Sequence, residues 1–308
     1  MDDSWERGIP FVELDLPQVE AIFRQWQDAV RVLSLAPIRI GCRNSNYRVD
    51  TNQGPYLLRI APEGSNLYRN EWAVHEGVLV LELIPVLAAL YVALPLANRH
   101  ALIYEYIPSV SLGSLAMPGF SADIVGQVAR LAAAIHGSPS VPGLAEAAYP
   151  PYETWYRLFA ENPHARARLG ERRIERVLKL VESKARELRE IDAFQGLIHS
   201  DFRPANMLAD AQGLVYVVDW EYAGKGHLLG DIGQFFRYRQ CFTPEDMALF
   251  ERVYNAHAPR PLPPDWRELS LLRDLVNPLQ GLGGAEDRPN MHADWLRLVD
   301  EDLAALGF

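Results

Sequence analysis

The chain has 308 residues, 49% hydrophobic and 23% charged, with 30 Lys+Arg against 40 Asp+Glu and a formal net charge of −10. That length holds two lobes with real cores, the composition excludes a disordered protein, and the acidic balance excludes broad non-specific nucleic-acid binding, which needs a basic face. The same balance suits a cationic small substrate, because an acidic cleft raises the local cation concentration.

In chain order, the first third alternates strand-like runs with turns. "PIRI" leads into the loop "GCRNSN", "YRV" is followed by the turn "DTNQG", and "YLLRI" comes next. A helical segment runs from about Asn66 to Leu83, and "YVALPL" and "ALIYEYI" read as two more strands. This is a small, mostly antiparallel sheet with one helix packed on it. The apolar stretch Val78 to Ala97 has the length of a membrane span, but Glu82 lies inside it, Pro85 and Pro95 punctuate it, and no basic flank marks an orientation. It reads as a helix end, a turn at Pro85 and a buried strand.

After "PSVSLGSL" the character becomes helical. Ser121 is an N-cap candidate, Ile124, Val128, Leu131 and Ile135 follow at helical spacing, and Gly137 is a stop. Further helices are expected over Tyr152 to Leu169, Arg172 to Arg189, Leu228 to Tyr238, Pro244 to Ala256, and from Asp265 onward. The fold class is therefore α+β: a small N-terminal antiparallel-sheet lobe over residues 1–107, a linker at about 105–113, and a larger, mainly helical lobe over residues 108–308.

Within the second lobe stands "HSDFRPANMLADAQGLVYVVDWE". "NML" and "VYVVD" are strand-like runs about the turn "ADAQG". With that turn centred near Gln212–Gly213, Asn206 and Asp219 come opposite each other, and an amide oxygen and a carboxylate so placed can share a hard cation such as Mg2+. Asp201 precedes Asn206 by five residues, in a turn stiffened by Pro204. An acid, an amide five residues on, and an acid after a following strand repeat the kinase spacing H-R-D-x-x-x-x-N followed by D-F-G. The missing Arg of the first motif and the missing Gly of the second set the chain apart from ordinary protein kinases.

Phosphoryl transfer also needs a cation for the phosphates, held by a partner. Arg59 lies on a strand, twelve residues before Glu71. An apolar stripe through Leu67, Val74, Val78 and Leu81 includes Glu71, which would then be partly buried beside Arg59. A stripe through Tyr68, Trp72 and Leu79 would instead turn Glu71 to solvent. The lysines, Lys179, Lys184 and Lys225, all lie in the other lobe. The loop holding Gly41, Asn44 and Ser45 either lays backbone N–H groups over phosphates or is an ordinary hairpin turn.

"GCRNSNYRV", "YLLRI", "NEWAVHEG", "LIYEYIPSVSL", "LAAAIHG", "LIHSDFRPANML" and "VVDWEYAGKGHLLGDIGQFFRY", in this order over roughly residues 36–240, together resemble the aminoglycoside phosphotransferase family. These are small-molecule kinases that share a protein-kinase-like bilobal fold with choline kinase. The resemblance implies ATP or GTP and Mg2+ as cofactors, Asp201 as catalytic base, and Asn206 and Asp219 as holders of the metal. It implies that Arg59 contacts the α/β-phosphates and pairs with Glu71, and that the adenine meets the Glu105 carbonyl and the Ile107 N–H. His199 would support the loop and Asp231 would tie it down. Arg59 stands where Lys is usual, and the loop is rich in serine and asparagine.

The expected function is phosphorylation of a small-molecule hydroxyl, on an aminoglycoside or on choline, ethanolamine, homoserine or another metabolite. A nucleotide-binding protein without turnover is the alternative, and the presence of Asp201, Asn206 and Asp219 weighs against it. The substrate is expected between "HSDFRPAN" and the C-terminal helices, with Glu221, Asp287 and Asp294 as candidates to meet ammonium groups. Cys42 and Cys241 show neither metal nor disulfide spacing, and the N-terminus carries no signal peptide, which points to the cytoplasm. Neither a nucleic-acid nor a membrane partner is expected, and a monomer is.

Overall fold

The computed structural model describes residues 4–80, 87–115, 119–139, 141–144, 151–193 and 195–308. The N-terminal lobe is an antiparallel sheet of β1 (Val32–Ile38), β2 (Ser45–Thr51), β3 (Gly54–Ile60), β4 (Leu90–Leu96) and β5 (Arg99–Glu105), in the order β1-β2-β3-β5-β4. Tyr47 and Val49 on β2, Leu58 and Ile60 on β3, and Ala101 and Ile103 on β5 bury one face. Helix α1 (Leu16–Trp26) covers that face with Val19, Ile22 and Phe23. This helix was not among the expected elements, although "DLPQ" announces it. Asp15 and Gln18 exchange the two hydrogen bonds of a capping box, each 2.9 Å, and Pro17 sits in the first turn.

The other face carries α2 (Tyr68–Val80), with Tyr68 and Trp72 packed against Ala61, Leu90, Leu102 and Tyr104. The expected end of this helix at Leu83 and the turn at Pro85 lie outside the described residues. β4 is an edge strand rather than a buried one, because it pairs with β5 alone and leaves Tyr91 43% exposed. No described helix is long and apolar enough to cross a membrane.

Three residues after β5, the chain enters the second lobe as β6 (Ser109–Ser111), which pairs with β8 (Met207–Asp210), itself paired with β9 (Val215–Val217). A second small sheet joins β7 (Gln195–Ile198) to β10 (Gly224–His227). Around them lie α3 (Ala122–Gly137), α4 (Tyr152–Glu161), α5 (Pro163–Leu169), α6 (Glu171–Ser183), α7 (Ala185–Ala193), α8 (Leu228–Phe236), α9 (Pro244–His257), α10 (Trp266–Leu282) and α11 (Pro289–Ala305). The expected helix over Tyr152 to Leu169 is two helices. Asn162 precedes Pro163, which disfavours helical geometry at Asn162, and its Oδ1 caps α5 by accepting from His164 N and Ala165 N. The expected helix over Arg172 to Arg189 likewise divides into α6 and α7.

The helices enclose one large apolar core, in which Phe235 stacks on Phe250 at 5.8 Å and Trp266 is almost fully buried. This packed lobe carries the β7–α8 segment, and with it the polar motifs.

Candidate active site

β7 ends at Ile198, and the next eight residues form a loop that α8 holds by its backbone. Asp231, fully buried in the first turn of α8, accepts from His199 N at 2.8 Å and Ser200 N at 2.9 Å. The helix N-terminus favours its charge, and His136 Nε2 lies 3.3 Å from it. Gln234 accepts from Phe202 N at 2.7 Å and donates to Ser200 O at 2.8 Å. His199 is itself buried: Nε2 lies 3.1 Å from Val218 O while Nδ1 accepts from Asp201 N at 3.2 Å, which fixes the ring's orientation. These bonds hold Ser200 at φ +67°, a costly backbone geometry for a non-glycine residue.

From the other side, the Ser111 hydroxyl donates to Ala205 O at 3.1 Å. Gly113 then comes so close that a Cβ there would lie 2.9 Å from Ala205 Cα. Glycine is the residue that admits this approach.

Asp201 is thereby presented at the loop's edge. Arg203 Nε lies 2.6 Å from its Oδ1, and Arg203 Nη2 donates to Oδ2 at 3.2 Å. Asn206 Nδ2 donates to Asp201 Oδ2 at 2.7 Å and to its carbonyl at 2.9 Å. Burial is the strongest single influence and would raise the Asp201 carboxyl, but the charge and hydrogen bond of Arg203, with Arg237 and other nearby groups, together outweigh it and hold the group below its ordinary range.

The hairpin register corrects one expectation. Met207 pairs with Val217 and Leu208 with Tyr216, so the turn centres on Gln212, and Val218, not Asp219, stands across from Asn206. Val218 N donates to Asn206 O at 3.0 Å. The difference is half a residue in the turn centre, which moves the partner by one position. Asp219 follows in left-handed geometry, φ +71°, which takes it off the strand line before the single helical turn Trp220–Tyr222. Trp220 is buried, its indole donating to Val217 O at 3.0 Å.

Asp219 meets the first lobe there. Arg59 Nη1 donates to Asp219 Oδ1 at 2.8 Å and also to Glu71 Oε1. Arg59 Nε reaches Asn46 Oδ1 at 3.3 Å, its cross-strand neighbour. Glu71, in the first turn of α2, is therefore turned inward and buried. Glu221 is buried nearby, accepting from Asn44 Nδ2 at 3.2 Å, with Arg43 Nε 3.8 Å away. One oxygen from each of Glu71, Asp219 and Glu221 lies within 4.8 Å of the others.

Three carboxylates thus surround one guanidinium. Burial would lower the Arg59 pKa, but the charges of Asp219, Glu71 and Glu221 outweigh it and raise it. Burial pushes the Glu71 carboxyl up to about 8, against the pull of Arg59 and with the push of its two acidic neighbours. Burial and Asp219 push Glu221 up to about 7, against Arg59 and Asn44.

The glycine-bearing loop between β1 and β2 turns at Gly41, φ +100°. Arg7 pins it, donating to Gly41 O at 2.5 Å, Arg43 O at 3.1 Å and Asn44 O at 2.9 Å. The Ser45 hydroxyl accepts from Val12 N at 2.8 Å and the residue is buried. Glu105 closes β5, opposite Tyr56, and the Ile107 carbonyl accepts from Ser109 Oγ at 2.9 Å.

Sequence reasoning missed the N-terminal segment. Besides Arg7, it supplies Glu6, which accepts from Asn290 N at 2.9 Å and Met291 N at 3.3 Å at the start of α11. Trp5 packs on Trp295 with ring centroids 4.7 Å apart, and the Arg203 guanidinium lies 5.6 Å over its ring. Neither periodicity nor motif marks this stretch, and its neighbours come from distant parts of the chain.

A cleft of about 580 Å³ between the lobes is lined by Asp201, Asn206, Asp219 and Glu221 together with Trp5, Arg7, Arg39, Arg43 and Arg203. Asp287 and Asp294 are not among its lining residues. The Asp287 side chain is 92% exposed, and Asp294 is engaged by Arg297 at 2.5 Å and the Tyr238 hydroxyl at 2.7 Å. The groups that would hold Mg2+, Asn206 and Asp219, offer oxygen ligands, and Asn206 keeps its carbonyl oxygen for a cation because its NH2 is given to Asp201. The residues fit that metal.

The model of the phosphotransferase enzyme family matches residues 34–275. No curated protein sequence matches the chain. Among solved structures it is similar to spectinomycin phosphotransferase APH(9)-Ia in complex with ADP and spectinomycin, at 13% identity, TM-score 0.67, over 94% of this chain and 95% of that one. It is similar to choline kinase LicA from Streptococcus pneumoniae, at 19% identity and TM-score 0.65, over 93% and 99%. A thermostable mutant of aminoglycoside phosphotransferase APH(4)-Ia, in ternary complex with AMP-PNP and hygromycin B, is 18% identical with a TM-score of 0.68 over 93% and 98%.

Proposed function

The chain belongs to the phosphotransferase enzyme family and is a small-molecule phosphotransferase, and on that premise we propose that it moves the γ-phosphoryl group of ATP, or GTP, to a hydroxyl. Asp201 is the base, and Asn206 and Asp219 hold Mg2+. The observation that carries this reading is the convergence of Asp201, Asn206 and Asp219 on one cleft, with Arg59 reaching Asp219 from the opposite lobe at 2.8 Å.

The acceptor oxygen attacks the γ-phosphorus, and the bond from that phosphorus to the β–γ bridging oxygen breaks. The bridging oxygen keeps the electron pair as the nucleoside diphosphate leaves. The acceptor proton passes to Asp201, which Arg203 keeps ionised. Mg2+, when bound, neutralises charge on the β- and γ-phosphate oxygens. Arg59, locked by Glu71 and Asp219, aligns the first lobe with the catalytic loop and presents a fixed charge to the α/β-phosphates. With the lobes divided at residues 107 and 108, the adenine lies against the Glu105 carbonyl and the Ile107 N–H. Such transfer rests on positioning and charge neutralisation, the work these residues are arranged to do.

ADP release from Mg·ATP over a panel of alcohols tests the reading, with Asp201→Ala alongside. Acceptor-dependent release by the unaltered protein, reduced about 10²- to 10⁴-fold in the variant, is expected. Equal, negligible rates in both would leave a nucleotide-binding protein without turnover.

A further inference from the structure

We propose that Arg43 is a catalytic residue of the transfer, its guanidinium leaving Glu221 to donate to the γ-phosphate oxygens of the nucleotide; this rests on the phosphotransferase reading above. The other arginines at the cleft are committed. Arg203 lies on Asp201, Arg39 donates to Glu13 at 2.9 and 3.3 Å, and Arg59 is held by Glu71 and Asp219. Arg7 is spent on loop carbonyls. Arg43 differs. It lines the cleft with a side chain 43% exposed, and the acid beside it, Glu221 Oε1, stands 3.8 Å from its Nε, beyond hydrogen-bond reach. Its backbone, by contrast, is fixed. Arg7 holds the carbonyls of Gly41, Arg43 and Asn44, and Gly8 N holds that of Cys42 at 3.1 Å. A loosely held cation thus stands on an anchored root.

The charges around Arg59 call for such a cation. Glu71, Asp219 and Glu221 outnumber that guanidinium three to one, so a polyanionic triphosphate meets an acidic floor. An oxygen of Glu221 lies within 4.8 Å of one of Asp219. Arg43 therefore rests beside the carboxylate that holds Mg2+ in the scheme above, next to where that scheme puts the γ-phosphate. Its departure does not orphan Glu221, which still accepts from Asn44 Nδ2 at 3.2 Å. A guanidinium keeps its charge and offers two parallel donors to phosphate oxygens. Charge spreads over those oxygens during transfer, so the contact is worth most in the transition state. Arg43 moves no proton, and the bonds made and broken remain those of the scheme.

Calorimetric titration with Mg·AMP-PNP and Mg·ADP reads the contact without an acceptor. The unaltered protein should bind Mg·AMP-PNP more tightly than Mg·ADP. Arg43→Gln should shrink the ratio of the two Kd values by about tenfold, and Arg43→Lys should keep part of the difference. A purely structural role in the loop would weaken both nucleotides alike. Loss of folded protein does not move a ratio taken on one preparation. With the best acceptor of the alcohol panel, kcat of Arg43→Gln should fall about 10²-fold. A Kd ratio unchanged in Arg43→Gln would overturn the inference, whatever kcat does. In that event Asp201-dependent turnover of any acceptor would leave the phosphotransferase reading standing. Absence of nucleotide binding and of all turnover in the unaltered protein would remove both.

Discussion

Arg59 and Asp219 lie 160 residues apart in the chain, yet the Arg59 guanidinium donates to the Asp219 carboxylate at 2.8 Å. The same nitrogen serves Glu71. One buried cation thus ties the first-lobe sheet, α2 and the end of the β8–β9 hairpin into one unit.

Arg59→Ala should therefore destabilise the protein as well as inactivate it. Removing one partner of a buried ion pair leaves uncompensated charge and costs about 3–5 kcal/mol. Urea denaturation should show this loss, and Arg59→Ala combined with Asp219→Asn should recover part of it, because one orphaned carboxylate is then neutral. Additive losses in the double variant would contradict the coupling.

Metal dependence should run through Asp219. Mg·ATP should raise the melting temperature, EDTA should abolish the rise, and Asp219→Asn should weaken it while the far-UV spectrum stays unchanged. Full activity in Asp219→Asn would refute the metal role.

Asp231 makes no contact with substrate in the proposed scheme, yet it accepts both His199 N and Ser200 N inside the protein. Asp231→Ala leaves two buried donors unpaired and should cost about 2–5 kcal/mol. The fall in kcat should exceed that of Asp231→Asn, which keeps one acceptor. Melting curves and kcat for the two variants check this order.

The pH dependence of stability without ligand should slope downward above neutrality. Burial raises Glu221 to about 7, Glu71 to about 8 and Asp302 to about 7, above their unfolded values. The folded state therefore binds more protons than the unfolded chain, and stability is lost as pH rises through those folded values. His227, lowered to about 4 by burial, works in the opposite sense below its ordinary range. The clean window is thus about pH 6.5 to 8. Melting temperatures across it should fall, and Glu221→Gln should flatten the slope. A rising or flat profile in the unaltered protein would contradict this assignment.

Much of the site was legible in the chain. Asp201, Asn206 and Asp219 lie within nineteen residues, and a tight turn and a short hairpin are local structures written by Pro204, Gly213 and alternating apolar residues. The register was less legible. Placing Val218 rather than Asp219 across from Asn206 depends on half a residue in the turn, which composition does not resolve. Helix α1 was legible through Asp15, Pro17 and Gln18, a local capping pattern passed over among the strand-like runs.

By itself, then, the sequence determined the fold class, the antiparallel strands of the first lobe and the spacing of the acid–amide–acid motif, because periodicity and turn chemistry act over a few residues. Only the tertiary structure decided the company those residues keep. It brought Arg7 to Asn44 across 37 positions and Glu6 to Met291 across 285. It also left Asp287 in solvent and gave Asp294 to Tyr238. A charge's partner is set by which surfaces two packed lobes bring together, and the same acidic chain that invites a cationic substrate closes a cleft walled by arginine.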